Sequence, residues 1–63
     1  MELIHYIYQD KKGITIKKFS RQSDRLFLPR KDEYVEIENY NGQVIKITHN
    51  LFIPCVIILI EIE

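Results

Sequence analysis

Apolar and polar residues alternate along most of this chain with a period of two. In residues 34–38, Val35 and Ile37 stand on one side and Tyr34, Glu36 and Glu38 on the other, the pattern of a strand with one buried face. Residues 43–48 set Ile45 and Ile47 against Val44, Lys46 and Thr48. Residues 14–19 set Ile14 and Ile16 against Thr15 and Lys17. Two further segments are apolar on both faces. In residues 3–8, Leu3 and Ile7 oppose Ile4, Tyr6 and Tyr8; in residues 55–62, Ile58, Ile60 and Ile62 oppose Ile57 and Leu59. No apolar spacing of three and four persists for three turns, alanine is absent, and isoleucine, valine and tyrosine dominate. All five segments are therefore predicted to be strands.

The separators agree with that reading. "QDKKG" is a hairpin turn closed by Gly13, "NYNG" a turn in which Asn41 and Gly42 take positive φ, and "HNLFIP" a third reversal. The long connection "SRQSDRLFLPRKDE" joins the second and third strands, and its Pro29 forbids a central strand there. An alternative for residues 20–28 is one short helical turn capped by Ser20 or Ser23. Five short strands with one long early connection predict a single all-β domain spanning residues 1–63, a small SH3-like or OB-like barrel, since closure removes exposed edges.

Residues 51–60 are apolar except for Pro54 and Cys55. A spanning helix needs roughly 20 apolar residues, so this run is not expected to cross a membrane. At 63 residues, a domain buries only about 60 % of the surface its unfolded chain exposes, and small scaffolds commonly gain stability from disulfides, metals or oligomerisation. A lone cysteine forms no intrachain disulfide, and with His5 and His49 it makes no ligand spacing. Self-association is the addition left open. The single thiol and a start without a secretion signal lead us to expect a cytoplasmic protein.

The stretch from Leu28 to Ile62, "LPRKDEYVEIENYNGQVIKITHNLFIPCVIILIEI", resembles a pattern found in small uncharacterised phage and prophage proteins: a proline, a charged turn, a "YVEI"-type strand, a glycine turn, "V..I.H" and a final alternating strand. The resemblance implies a compact β-barrel-like fold with the last three strands adjacent. It assigns no chemistry and no functional residues. The chain departs from the pattern in the turn before "YVEI", where "RKDE" stands in place of a glycine-bearing turn.

Candidate chemistry is sparse. A thiol after a proline in an apolar run has its pKa raised, so Cys55 reads as buried filler; no glycine-rich phosphate loop is present. No enzyme, metal or cofactor is expected. Neither the first nor the last strand can bury both faces in one thin core, so Ile4, Tyr6, Tyr8, Ile57 and Leu59 are the expected partner-binding set, for a homodimer or another protein. The competing arrangement covers that face with the "LFLP" loop. Charge offers an alternative function. Residues 11–31 carry eight Lys or Arg against Asp24 alone, whereas residues 32–63 carry six acids against Lys46 alone. Lys11, Lys12, Lys17, Lys18, Arg21, Arg25, Arg30 and Lys31, interleaved with Phe19 and Phe27, would suit nucleic acid. The chain is thus read as a non-catalytic association module, with no membrane or small-molecule substrate expected.

Overall fold

The computed structural model describes residues 2–23 and 28–63. It is all-β, with strands β1 (Glu2–Gln9), β2 (Thr15–Ser23), β3 (Tyr34–Ile37), β4 (Tyr40–Asn50) and β5 (Cys55–Ile62). They form one five-stranded sheet in the order β2-β1-β5-β4-β3, curled into a half-barrel. Antiparallel pairing joins β1 to β2, β3 to β4 and β4 to β5, while β1 and β5 run parallel at the centre. A central parallel pair is flanked on both sides and commonly buried on both faces. That accounts for the two segments that are apolar throughout. Residues 20–23, one option for a helical turn, continue β2; the remainder of that option up to residue 27, with Arg25, Phe27 and the first half of "LFLP", lies outside the described residues.

The core lies on the concave face. Ile4, Tyr6 and Tyr8 of β1 sit opposite Val56, Ile58 and Ile60 of β5, and Val44 and Ile37 complete the buried set. Each large aliphatic group removed from water contributes about 1.5–3 kcal/mol. Phe19, Leu28, Val35, Tyr40 and Ile47 pack at the margin. Tyr8, Phe19 and Tyr40 form an aromatic triangle with ring centroids 5.7–6.0 Å apart. The Tyr8 hydroxyl donates to the Val35 carbonyl at 2.8 Å, tying β1 to β3 across the concave face. Burial pushes the Tyr8 phenol above its usual pKa; a backbone hydrogen bond from Ile37 works the other way, and the charges of Glu36 and Tyr6 add to the rise.

Turn chemistry is as expected at the first hairpin and shifted at the second. Asp10 Oδ1 accepts from the backbone N–H groups of Lys12 and Ile14, and Gly13 takes φ 87°. The β3–β4 reversal is at Glu38 and Asn39, not at Asn41 and Gly42, and Glu38 takes φ 55°. Gly42 is buried within β4, where a Cβ would collide with the Glu61 carbonyl and lie 2.8 Å from Ile60 Cγ2. Moving the reversal earlier also seats Tyr40 in the aromatic triangle. In the "RKDE" turn, the Glu33 N–H donates to the Arg30 carbonyl and Asp32 takes φ 74°, the conformation glycine adopts most easily.

Register irregularities correct two of the expected alternations. One between Val44 and Lys46 leaves Val44 and Ile47 facing the core, with Lys46 and Thr48 outside. Another opposite Tyr8 and Gln9 leaves Ile16 without a partner on β1 and turns Phe19 inward opposite Tyr6. An extra residue in one strand reverses the sense of every position beyond it. Ile14 and Ile16 are accordingly exposed.

Candidate functional site

The five residues expected to make one partner-binding face occupy two. Ile4, Tyr6 and Tyr8 are buried in the concave core. Ile57 and Leu59 lie on the convex face, opposite His5 and Ile7 of β1. The period of two separates the faces correctly, but which face of β1 turns inward follows from its register with β5. On β1 and β5 the convex-face residues are half-buried, apart from Leu3, which is exposed, and Cys55, which is buried. Across that face His5 Nδ1 and Ser20 Oγ stand 2.8 Å apart in a hydrogen bond.

The most exposed apolar surface among the described residues is elsewhere, on the β4–β5 turn. Leu51, Phe52 and Ile53 are 84 %, 94 % and 62 % exposed. Asn50 holds the turn in shape, its Oδ1 accepting from the backbone N–H groups of Phe52 and Ile53 at 3.0 and 3.1 Å. Asparagine does this because its short side chain reaches its own backbone two residues on. The three side chains therefore project from an ordered reversal. The reversal lies where "HNLFIP" predicts it; that its three large apolar side chains stand in solvent does not follow from the sequence, in which they continue into the apolar run of residues 51–60.

The basic set is also divided. Lys11 and Lys12 sit on the β1–β2 turn, Lys17, Lys18 and Arg21 on β2, and Arg30 and Lys31 on the turn before β3; all seven are exposed. Along β2 the charges alternate between faces: Lys18 pairs with Ile7 on the convex side, while Lys17 and Arg21 pair with Tyr8 and Ile4 on the concave side. Phe19 packs into the aromatic triangle with the Lys17 ammonium 5.7 Å from its centroid, so it is core and not a stacking platform.

Two hollows remain. A cleft of about 450 Å³ runs along β3, lined by Tyr6, Arg21, Leu28, Pro29 and residues 33–37. Burial pushes the Tyr6 phenol up, and the Arg21 charge opposes that. A smaller hollow of about 160 Å³ collects Glu2, His49, Asn50 and Cys55 beside Leu51 and Pro54. Cys55 is a free, buried thiol beside this hollow. Among the described residues no group of three His, Cys, Asp or Glu side chains could hold a metal ion, and no helix is long and apolar enough to cross a membrane. Compared with known proteins, the chain matches no family model, no curated protein and no solved structure.

Proposed function

We infer that this protein is a non-catalytic β module that works by holding another protein, and that its docking element is the turn of Leu51, Phe52 and Ile53. The observation that carries this reading is the exposure of three consecutive large apolar side chains on a turn held by Asn50. Isolated surface hydrophobes are ordinary, but a contiguous exposed group marks an interaction site. A central aromatic anchor flanked by aliphatics is the usual form of a binding hot spot. Leu3, exposed on the convex face and paired with Cys55 at the start of β5, adds an apolar side chain near that turn. The resemblance of residues 28–62 to small phage and prophage proteins supports an accessory role in a mobile element, and the lone buried thiol supports a reducing, cytoplasmic setting.

The test is capture from a lysate of the source cells by wild type and by Phe52→Ser. A partner retained by the first and lost by the second is expected. Identical captured sets, with both proteins folded, would refute the assignment of the turn. Nucleic-acid binding is the second reading, favoured by the clustering of Lys11, Lys12, Lys17, Lys18 and Arg21 on one edge of the sheet. It requires binding that weakens steeply with salt.

A further inference from the structure

The two edges of the sheet carry opposite charge. Along β2 and its turn, residues 11–23 hold Lys11, Lys12, Lys17, Lys18 and Arg21 and no acid. Around β3, residues 32–38 hold Asp32, Glu33, Glu36 and Glu38 and no Lys or Arg. All nine side chains are exposed. Among the described residues each of these strands pairs on one side only, and an edge strand offers its free backbone groups as a template for another strand. We propose that this chain assembles head to tail, the β2 edge of one copy adding to the β3 edge of a second copy so that the sheet continues.

Strand direction suits the junction. β1 and β5 run together, β2 and β4 run against them, and β3 runs with β5. A continued sheet therefore sets β3 and the incoming β2 antiparallel, the pairing that is the more stable per residue. The faces match as well. Glu36 and Lys18 are both convex; Val35 and Phe19 are both concave and both border the core. In the register that opposes Glu36 to Lys18, Val35 meets Phe19 and Glu33 meets Arg21. Opposite charges then face each other on both sides of the sheet, with an apolar pair between them. A slip by two residues loses both of these charge pairs and sets Val35 against Lys17 or Arg21; one of the two slips opposes Ile37 to Phe19 and Glu38 to Lys18, but Glu38 lies beyond the end of β3, so only the Glu36–Lys18 register keeps a charge pair within both strands.

The symmetric alternatives are disfavoured by the same charges. β2 beside β2 brings two basic edges together, and β3 beside β3 two acidic ones, each a repulsive arrangement. A polyanion such as nucleic acid would suit β2 but leave the acidic edge without a counterpart. A second copy accounts for both edges. The proposal rests on the association reading above but uses a different surface, the strand edges and not the turn of residues 51–53.

Sedimentation velocity of the full chain, from about 10 µM to about 1 mM at low salt, tests it. Wild type should exceed the monomer mass with rising concentration. Lys18→Glu and Glu36→Lys should each need at least about tenfold more protein to do so, a factor equal to roughly 1.4 kcal/mol. The double variant, and an equimolar mixture of the two single variants, should recover the wild-type behaviour, because both restore opposite charges at every junction. A wild type that stays monomeric overturns the proposal, with or without an oligonucleotide bound to its basic edge. So does a double variant no better than the singles. Both positions are exposed, and circular dichroism confirms folding; Lys18→Gln and Glu36→Gln replace any reversal that unfolds the chain. A monomeric wild type whose captured partner is still lost on Phe52→Ser overturns the edge assembly alone, so the two readings fail separately.

Discussion

Gly42→Ala should unfold this protein far more readily than its single added methyl suggests. The Cβ would lie 2.8 Å from Ile60 Cγ2 and against the backbone carbonyl of Glu61, whereas carbon atoms rest at about 3.5–4.0 Å. A side chain could swing away, but Glu61 is ladder backbone in β5, and strands in a sheet stay about 4.7–4.9 Å apart. β4 must therefore move outward by roughly an ångström. Overpacking of this kind costs about 1–3 kcal/mol, and each disturbed ladder bond adds about 0.5–1.5 kcal/mol. The lower chain entropy of alanine in the unfolded state returns about 0.4–1 kcal/mol. The net is a loss of about 2–3 kcal/mol, by these same terms. For 63 residues at about 0.05–0.15 kcal/mol each, total stability is only about 3–9 kcal/mol. Urea unfolding followed by far-ultraviolet circular dichroism, with a slope near 1 kcal/mol per molar, should show the midpoint fall by about 2–3 M. A fall below about 0.5 M at unchanged slope would refute the close approach of β4 and β5 at Gly42. Gly13→Ala is the control: nothing lies within 4 Å of its Cβ, so only its φ of 87° resists the change.

Two other consequences concern the turn before β3 and the buried phenols. Asp32→Gly, at φ 74°, should stabilise the protein by about 0.5–1 kcal/mol, since only glycine occupies that region without steric cost; a lowered urea midpoint would contradict the turn geometry. Tyr6 and Tyr8 hold their protons more tightly folded than unfolded, so the stability they contribute is complete below their ordinary pKa of about 10 and is lost as pH rises through the folded values. Thermal midpoints measured against pH should drop on the alkaline side, and Tyr8→Phe should shallow that drop; an unchanged slope in the variant would exclude Tyr8 as a source.

Strand existence was legible in the chain because period-two alternation is a local property. All five segments appear, and the β5 bounds coincide with the expected ones. Orientation was less legible, because it depends on partners far along the chain. Ile4, Tyr6 and Tyr8 face inward because their register sets them beside Val56, Ile58 and Ile60, and nothing within residues 3–8 states that register. The irregularities near Ile16 and Ile45 had no glycine to announce them, so the alternation beyond each was assigned the wrong sense. At Glu38 a non-glycine residue carries the positive φ while Gly42 serves close packing. A glycine answers two different steric demands, and sequence alone does not distinguish them. The reversal at "HNLFIP", bracketed by Asn50 and Pro54, was legible, but the exposure of Leu51, Phe52 and Ile53 was not, because their side chains read as the start of the apolar run of β5.

Edge assembly and the apolar turn bear on one another through geometry. In a sheet continued head to tail, every copy keeps the same strand direction relative to its neighbours, so every β4–β5 turn emerges on the same rim. A row of Phe52 side chains on one rim converts weak single contacts into a multivalent surface, since the second contact is made at a high effective concentration. The edges that build the row and the turns that use it share no residue. Charge reversal at Lys18 should therefore weaken partner capture without touching the turn, and it should do so only for partners that offer more than one matching pocket. The salt dependence follows the same division. Raising ionic strength screens the exposed pairs of the edges but leaves apolar contacts at residues 51–53 intact. Capture that falls with salt in wild type, yet is salt-independent in Lys18→Glu, is the pattern this arrangement requires.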